Sequence, residues 1–287
     1  MHSVGFIGVG IMGKSMVRNL MKAGFEVHIY ARTKSKVEDV VSEGAILHET
    51  IGECAKGRDA VITIVGFPAD VEEVYFEQGN ILDSADVGTY LIDMTTTSPK
   101  LAQRIAEEGS GRGLHVLDAP VTGGDAGAKA GTLSILVGGG QEDFQACMPL
   151  FKAMGTNINR FGRAGAGQHC KLANQIMIAG SLSGVVEAFA YAEKQGLQLE
   201  LVMKALATGA AGSKQLDNFG PKIIADDYAP GFFLKHLVKD LRLAKGEAEA
   251  AGLDLDMLGT VLCDYERLES EGYGNLGTQA LMKRFRL

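Results

Sequence analysis

A lysine and two amides share one face of a predicted helix in the middle of the chain. Lys171, Asn174 and Gln175 are spaced i, i+3 and i+4, so a helix places them side by side. A lysine in an otherwise apolar helix is costly to bury unless it is paired or functional, and desolvation gives a lysine the character of a general acid or base. On helix position alone, a lysine that extends its amine to solvent is the simpler interpretation.

A second candidate site follows the strand predicted to end at Ala119. In open parallel sheets, ligands bind beyond the carboxyl ends of the strands. The Thr122 hydroxyl and the N–H groups of Gly123 and Gly124 suit a carboxylate in that position. An ordinary glycine turn has the same composition, so these residues alone leave both interpretations open.

The glycine-rich turn near the first residue fits two phosphate-binding motifs. Gly8, Gly10 and Gly13 satisfy the dinucleotide fingerprint, whereas Gly8, Gly13, Lys14 and Ser15 satisfy the P-loop pattern. A P-loop does not require Gly10, but a dinucleotide turn does, because its backbone must approach the pyrophosphate closely. Either motif alone is a weak signal.

The end of the second predicted strand indicates which dinucleotide would bind. An acidic residue that would bind an NAD ribose is missing there, and the segment instead carries Arg32, Thr33 and Lys36. An arginine can pair with a 2′-phosphate, so the segment favours NADP. A solvated basic turn is the alternative interpretation.

The elements that must position these residues change in character near residue 163. Before it, apolar strands alternate with amphipathic helices, which predicts a parallel sheet covered on both faces. After it, a long helix to about Gln195 and a run of further helices are expected. The predicted strands are Val4–Val9, Glu26–Ala31, Ala60–Val65, Thr89–Met94, His115–Ala119, Ser134–Val137 and Asn157–Phe161. The prediction is therefore an α/β Rossmann-type dinucleotide-binding domain at residues 1–163 and an all-helical substrate or dimerisation domain at 164–287, joined by the long helix.

Composition narrows the class of protein. The chain has 287 residues and a net charge of −7 with both signs dispersed, which gives no basic footprint for nucleic acid. Its four cysteines lack metal or disulfide spacing, as is typical of a cytoplasmic protein without a metal site. The most apolar stretch, 172–191, carries Asn174, Gln175 and Glu187, so a buried helix is expected rather than a membrane span.

Several motifs together make the sequence similar to the β-hydroxyacid dehydrogenase family, which includes 3-hydroxyisobutyrate dehydrogenase, tartronate semialdehyde reductase and the glyoxylate/succinic semialdehyde reductases. The resemblance extends over essentially the whole chain. It rests on Phe6–Gly13, Asp93–Thr96, Asp118–Gly124, Gly131–Leu133, Gly165–Gly167, Lys171–Asn174 and Lys239–Asp240. Because these motifs occur in the family's order and spacing, they favour a functional Lys171 and a coincidental P-loop match.

The resemblance implies roles for individual residues. Lys171 matches the catalytic lysine and Asn174 its partner amide, while Thr122, Gly123 and Gly124 match the loop that binds the substrate carboxylate. Lys239 matches a lysine at the cofactor, although a Lys–Asp pair in an apolar helix is by itself typical of surface charge. The candidate cofactor contacts are Gly8, Gly10, Ile11, Met12, Gly13, Arg32, Thr33, Lys36, Val65, Pro68, Thr96, Phe232 and Lys239, and Gln175 joins the substrate contacts.

Two positions depart from the family's pattern. Some relatives carry a second asparagine where this chain has Gln175, and Ala31 stands where the family usually has asparagine before Arg-Thr. Both departures leave the predicted chemistry intact, but they make the identity of the substrate harder to predict.

The predicted activity is hydride transfer between NADP(H), with NAD(H) as the alternative cofactor, and a small β- or γ-hydroxy acid or its semialdehyde. Lys171 would act as the general acid or base, and the protein would be a homodimer or homotetramer. A P-loop nucleotide hydrolase and a non-catalytic NADP-binding protein are the alternative functions.

Overall fold

The computed structural model describes residues 1–286. The chain divides into a first unit, Met1–Lys171, and a second unit that begins at Leu172. The division falls within one long helix, between Lys171 and Leu172.

The first unit is built on a nine-stranded sheet. In space the strands follow the order β3-β2-β1-β4-β5-β6-β8-β7, and β9 pairs with β8. All pairs from β3 to β6 are parallel. The strands are β1 Ser3–Ile7, β2 Glu26–Tyr30, β3 Ile46–Leu47, β4 Ala60–Thr63, β5 Tyr90–Asp93, β6 His115–Asp118, β7 Val121–Thr122, β8 Leu133–Gly139 and β9 Gly155–Gly162. This parallel-dominated sheet confirms the predicted Rossmann-type fold.

Helices cover both faces of this sheet, and a separate apolar cluster lies on each. Val4 and Phe6 of β1 face one cluster, whereas Ile7 belongs to the other, as expected of a strand buried on both sides. The helices are α1 Ile11–Lys22, α2 Glu38–Ser42, α3 Ile51–Ala55, α4 Pro68–Phe76, α5 Ile81–Ser84, α6 Pro99–Gly111, α7 Gly124–Ala130, α8 Gln141–Ala146 and α9 Met148–Met154.

The sheet differs from a wholly parallel one beyond β6. Strand β8 runs antiparallel to both β6 and β7. The chain reaches β8 from β7 through the short helix α7 alone, and a parallel crossover needs about a dozen residues or more. The expectation of uniformly parallel strands is therefore wrong at this edge, and the two-residue strand β7 carries too short a pattern to have been recognised.

The second unit is helical. Its helices are α10 Ala166–Lys194, which begins in the first unit, and α11 Leu199–Ala207, α12 Lys214–Ile224, α13 Leu234–Ala250, α14 Asp256–Ser270 and α15 Lys283–Arg286, with 3-10 turns at Tyr273–Asn275 and Thr278–Met282. Among residues 1–286, α10 is the one helix whose length and apolar composition would allow a membrane span. Its side chains Leu182, Val186 and Phe189 are fully buried in the core of this unit, as expected of the central helix of a folded domain.

Candidate active site

The glycine turn between β1 and α1 has the shape that a pyrophosphate requires. Gly8 has φ +101°, and a Cβ on Gly8 would lie 2.1 Å from the carbonyl oxygen of Ile64. A Cβ on Gly13 would lie 2.1 Å from the carbonyl oxygen of Gly8, so this glycine lets the helix pack against the turn. Gly10 is the exposed N-cap of α1, and a Cβ there would meet no heavy atom within 4 Å. The three glycines thus fit a dinucleotide phosphate at the helix N-terminus.

Lys14 does not serve this turn as a P-loop lysine would. Its Nζ donates to both carboxylate oxygens of Asp39 in α2, at 2.8 and 3.0 Å. Arg18, one turn later on α1, binds Asp39 and Glu43. Lys14 therefore belongs to an ion-pair network between two helices, which disfavours the P-loop alternative.

The other candidate cofactor residues of the first unit lie at the carboxyl ends of its central strands. Ile11 and Met12 form the first turn of α1, Val65 and Pro68 follow β4, and Thr96 follows β5. The ends of β4 and β5 are joined by a hydrogen bond from the Val65 N–H to the Thr95 hydroxyl, at 3.0 Å.

The basic segment after β2 is exposed and already engaged. The Nη2 of Arg32 donates to Asp70 at 2.8 Å and to Glu73 at 2.6 Å, and both carboxylates belong to α4. The hydrogen bond with Asp70 raises the pKa of the Arg32 guanidinium. Thr33 is the N-cap of a 3-10 turn at the surface, and Lys36 is the last residue of that turn. A 2′-phosphate at this point would share Arg32 with two acidic side chains.

The start of α10 is held by a buried carboxylate at the end of β6. Asp118 accepts hydrogen bonds from the N–H of Gly165 at 2.7 Å and of Gln168 at 2.9 Å. Burial raises the pKa of Asp118, and these N–H groups oppose that rise. A Cβ on Gly138 of β8 would lie 2.4 Å from the Asp118 carboxylate, so a glycine is needed where strand and helix meet. A negative charge at a helix N-terminus is stabilising, and it fixes where α10 begins.

Gln168 is a positioning residue that the sequence did not reveal. It is fully buried, its amide donates to the Thr95 carbonyl at 2.8 Å, and its Oε1 accepts from the Thr97 N–H at 3.0 Å. These bonds tie the first turn of α10 to the loop after β5. Lys171, three residues further along the helix, is 7% exposed, so the interpretation as a lysine extended into solvent is wrong.

The loop predicted to bind a carboxylate begins in β7, which lies at an edge of the sheet. Thr122 is paired with Ser134 in the antiparallel β7–β8 ladder. Gly123, with φ +131°, precedes the first residue of α7, Gly124, and both are exposed. Residues 122–124 take no part in the hydrogen bonds between Gln168 and the loop after β5. They form a separate turn.

Asp93, at the end of β5, is a second buried carboxylate near this edge. Its Oδ1 accepts from the Thr63 hydroxyl at 2.8 Å and from the Thr95 N–H at 3.0 Å. Its Oδ2 has no hydrogen-bond partner within the described residues. Desolvation raises the pKa of Asp93 to about 6.

This raised pKa predicts a pH dependence of stability. Between about pH 4 and pH 6 the native state binds more protons than the unfolded state, so the free energy of unfolding falls as pH rises. A shift of about two units corresponds to about 3 kcal/mol. We expect Asp93→Asn to remove this loss, so that its stability relative to the unsubstituted protein increases from about pH 4.5 to about pH 8. Urea unfolding across this range measures it.

The control for this prediction is Asp125→Asn, which changes the same charge at an exposed position of α7. It should leave the pH slope of stability unchanged. A slope for Asp93→Asn equal to that of the control would show that Asp93 is ionised in the native state throughout this range.

In the second unit, a buried chain of hydrogen bonds joins α10 to α13. Asn174 Nδ2 donates to Gln175 Oε1 at 2.8 Å, and Gln175 Nε2 donates to Asp240 Oδ2 at 2.7 Å. Lys239 Nζ lies 2.8 Å from Asp240 Oδ1. Since a carboxylate only accepts, Asp240 fixes the orientation of the Gln175 amide, which in turn fixes that of Asn174. The Asn174 carbonyl oxygen is thus left to face other donors.

The pair Lys239–Asp240 is not the surface charge that its helix suggested, since Asp240 is 1% exposed and the Lys239 side chain 11%. The sequence assigns Asp240 no role at the site beyond its place in the Lys239–Asp240 motif. Its hydrogen-bond partner Gln175 lies 65 positions away in the chain. Phe232, the remaining candidate, is half-buried beside His236, with ring centroids 6.2 Å apart.

Comparisons with known proteins match both units. Residues 3–162 match the family described as the NAD binding domain of 6-phosphogluconate dehydrogenase, and residues 165–285 match the NAD-binding family of NADP-dependent 3-hydroxyisobutyrate dehydrogenase. An uncharacterized oxidoreductase of Bacillus subtilis, YkwC, is 48% identical, with 98% of each chain covered. The 2-hydroxy-3-oxopropionate reductase of Escherichia coli is 36% identical over 99% of this chain and 97% of its own.

A solved structure is similar to this chain over nearly its whole length. The crystal structure of 3-hydroxyisobutyrate dehydrogenase from Salmonella typhimurium has a TM-score of 0.92 at 26% identity, with 99% of this chain and 100% of that chain covered.

Proposed function

This chain belongs to the β-hydroxyacid dehydrogenase family, and from that membership we propose that it is an NADP(H)-dependent reductase of small semialdehyde acids with Lys171 as general acid and base. The substrate would be of the tartronate semialdehyde, 3-hydroxyisobutyrate or succinic semialdehyde type. Residues 1–163 would bind the cofactor, and residues 164–287 would complete the substrate site and the dimer or tetramer interface. The absence of disulfide spacing among four free cysteines supports a cytoplasmic location.

The observation that carries the proposal is the buried position of Lys171. Its helix begins at the Asp118 carboxylate and is tied by Gln168 to the loop after β5. That loop lies at the sheet edge where the open turn at Gly10 offers room for a pyrophosphate. Burial of an amine disfavours its charged form, so a buried lysine at a cofactor edge is suited to proton transfer.

The residues have distinct tasks in the proposed reaction. When bound, the reduced nicotinamide supplies the hydride that reduces the aldehyde carbon. Lys171 donates a proton to the developing alkoxide and, in the reverse direction, takes the proton of the hydroxyl group. Asn174, held by Gln175, orients the lysine amine and the substrate oxygen. Thr122 and the N–H groups of Gly123 and Gly124 bind the carboxylate, while Thr96, Phe232 and Lys239 contact the cofactor.

The proposed preference for NADP over NAD depends on Arg32, which would bind the 2′-phosphate. We expect Arg32→Ala to raise KM for NADPH about tenfold or more and to change KM for NADH less than about twofold, because a charge-assisted bond to the 2′-phosphate is lost. Steady-state kinetics with both cofactors measures the two effects. Equal effects on NADPH and NADH would contradict the NADP assignment.

A substrate panel tests the proposed reaction. Oxidation of NADPH is followed with succinic semialdehyde, glyoxylate, tartronate semialdehyde and methylmalonate semialdehyde, and the hydroxy acids are tested in reverse with NADP. Butyraldehyde, which has the chain length of succinic semialdehyde but lacks its carboxylate, is the matched control. Turnover of at least one acid and little turnover of butyraldehyde is expected. Magnesium-dependent nucleotide hydrolysis with no NADPH oxidation would contradict the proposal.

A further inference from the structure

The guanidinium of Arg32 is shared by two carboxylates of α4. One nitrogen, Nη2, donates both to Asp70 Oδ1 and to Glu73 Oε2. The Arg32 side chain is 57% exposed and that of Glu73 40%, whereas Asp70 is 20% exposed. The strand before Arg32 and the strand before α4 both pair with β1, so this group lies beside the turn at Gly10.

The two acidic residues differ in what else they do. The second oxygen of Asp70, Oδ2, accepts from the Phe67 N–H at 2.9 Å and so caps the first turn of α4. Glu73 lies one turn later, at i+3, and its carboxylate reaches Arg32 from the exposed side of the helix. Replacement of Glu73 therefore changes the charge beside Arg32 without removing the helix cap.

A 2′-phosphate would meet an arginine whose charge is already neutralised. A phosphate bound to Arg32 would bring negative charge beside the two carboxylates that this arginine also binds, and like charges in close proximity repel. It must also displace or share hydrogen bonds that Arg32 makes to them. An arginine without these partners would offer the phosphate a bidentate site and an uncompensated charge.

We propose that Glu73, together with Asp70, competes with the 2′-phosphate for Arg32 and thereby sets how strongly the protein prefers NADP(H) over NAD(H). This inference rests on the proposed function, in which Arg32 binds that phosphate. Glu73 is the specificity-determining residue that can be tested, because it acts on the cofactor that carries the phosphate and not on the one that lacks it.

The test is a direct binding measurement that needs no substrate. The chain contains no tryptophan, so NADPH and NADH are titrated by isothermal calorimetry or by the fluorescence of the reduced nicotinamide. Glu73→Gln should tighten NADPH binding about threefold to tenfold, as expected for release of an exposed ion pair to a charged acceptor. Binding of NADH should change less than about twofold.

Glu72→Gln is the matched control. Glu72 is the preceding residue of the same helix and pairs with Arg104 at 3.0 Å, so the substitution makes the same change in net charge away from Arg32. It should leave NADPH affinity near that of the unsubstituted protein. An equal gain in both variants would mean a general field effect, and no gain or a loss in Glu73→Gln would mean that Glu73 does not compete. Either result overturns the inference.

Arg32→Ala separates this inference from the proposed function. If Arg32→Ala does not weaken NADPH binding, the NADP assignment itself fails. If it does weaken binding while Glu73→Gln brings no gain, only the competition fails. In the double variant Arg32→Ala/Glu73→Gln, the gain seen in the single Glu73 variant should largely disappear; a gain that persists without Arg32 would overturn the competition for its guanidinium.

Discussion

Replacement of Lys171 by alanine is expected to lower kcat by about two to four orders of magnitude, the contribution of a positioned general acid or base. Binding of NADPH should be largely retained, because the phosphates are proposed to bind at the glycine turn and not at Lys171. The fold should also persist, since Asp118 and Gln168 hold the start of α10 without the lysine. Single-turnover kinetics and a calorimetric titration of NADPH measure the two effects separately.

Lys194→Ala is the control for this variant. It removes a lysine from the other end of the same helix, where the side chain is exposed, and should leave kcat unchanged. Near-full activity of Lys171→Ala would exclude this residue as the acid–base group, and a parallel collapse of NADPH binding would show that its role is structural.

A methyl group at Gly10 is expected to weaken NADPH and NADH binding alike, by about two orders of magnitude. A Cβ there meets no protein atom within 4 Å, and the backbone is extended, with φ −85°, so it does not require the positive φ that favours glycine. The folded protein therefore has room for alanine. A pyrophosphate that approaches the backbone closely does not, and the loss of one or two hydrogen bonds to a charged group costs about 1.5–3 kcal/mol each.

The control for Gly10→Ala is Gly111→Ala, at an exposed helical position that is equally open. Neither variant should lower the melting temperature of the protein, and only Gly10→Ala should lose cofactor affinity. Unchanged binding of both dinucleotides by Gly10→Ala would contradict a pyrophosphate site at this turn. Magnesium-dependent binding of a nucleoside triphosphate by the Gly10→Ala variant would instead favour the P-loop alternative.

The parts of the fold that could be predicted from the sequence are those that depend on patterns within short segments of the chain. Seven of the nine strands of the first unit follow from continuous apolar runs, and the glycine turn follows from hard steric limits at Gly8 and Gly13. The two-residue strands β3 and β7 could not be predicted, because so short a strand has no periodicity. The antiparallel direction of β8 could not be predicted either, because it depends on the connection through α7.

The site shows the same distinction more sharply. The types and spacing of Lys171 and Asn174 indicate one face of a helix as a candidate site, but burial of the lysine is a property of the folded chain. Gln168 binds a loop 73 positions earlier, and Asp240 lies 65 positions beyond Gln175. Such contacts leave no local signal in a single sequence.

Arg32 has partners in the folded protein that the sequence could not reveal. Its position at the end of β2 favours a 2′-phosphate, and nothing nearby in sequence competes for it. The competing carboxylates belong to α4, 38 and 41 positions away, and only the parallel pairing of β1 with both β2 and β4 brings them beside the arginine.

The central claim is a hydride transfer between the nicotinamide and the aldehyde carbon, with Lys171 supplying the proton. It is tested most directly with NADPH deuterated at the transferred position of C4 and the semialdehyde that is turned over best in the substrate panel. We expect the deuterium on the carbinol carbon of the hydroxy acid, and we expect Lys171→Ala to form this product at a rate lower by about two to four orders of magnitude. Product without deuterium, or equal rates for the two proteins, would contradict it.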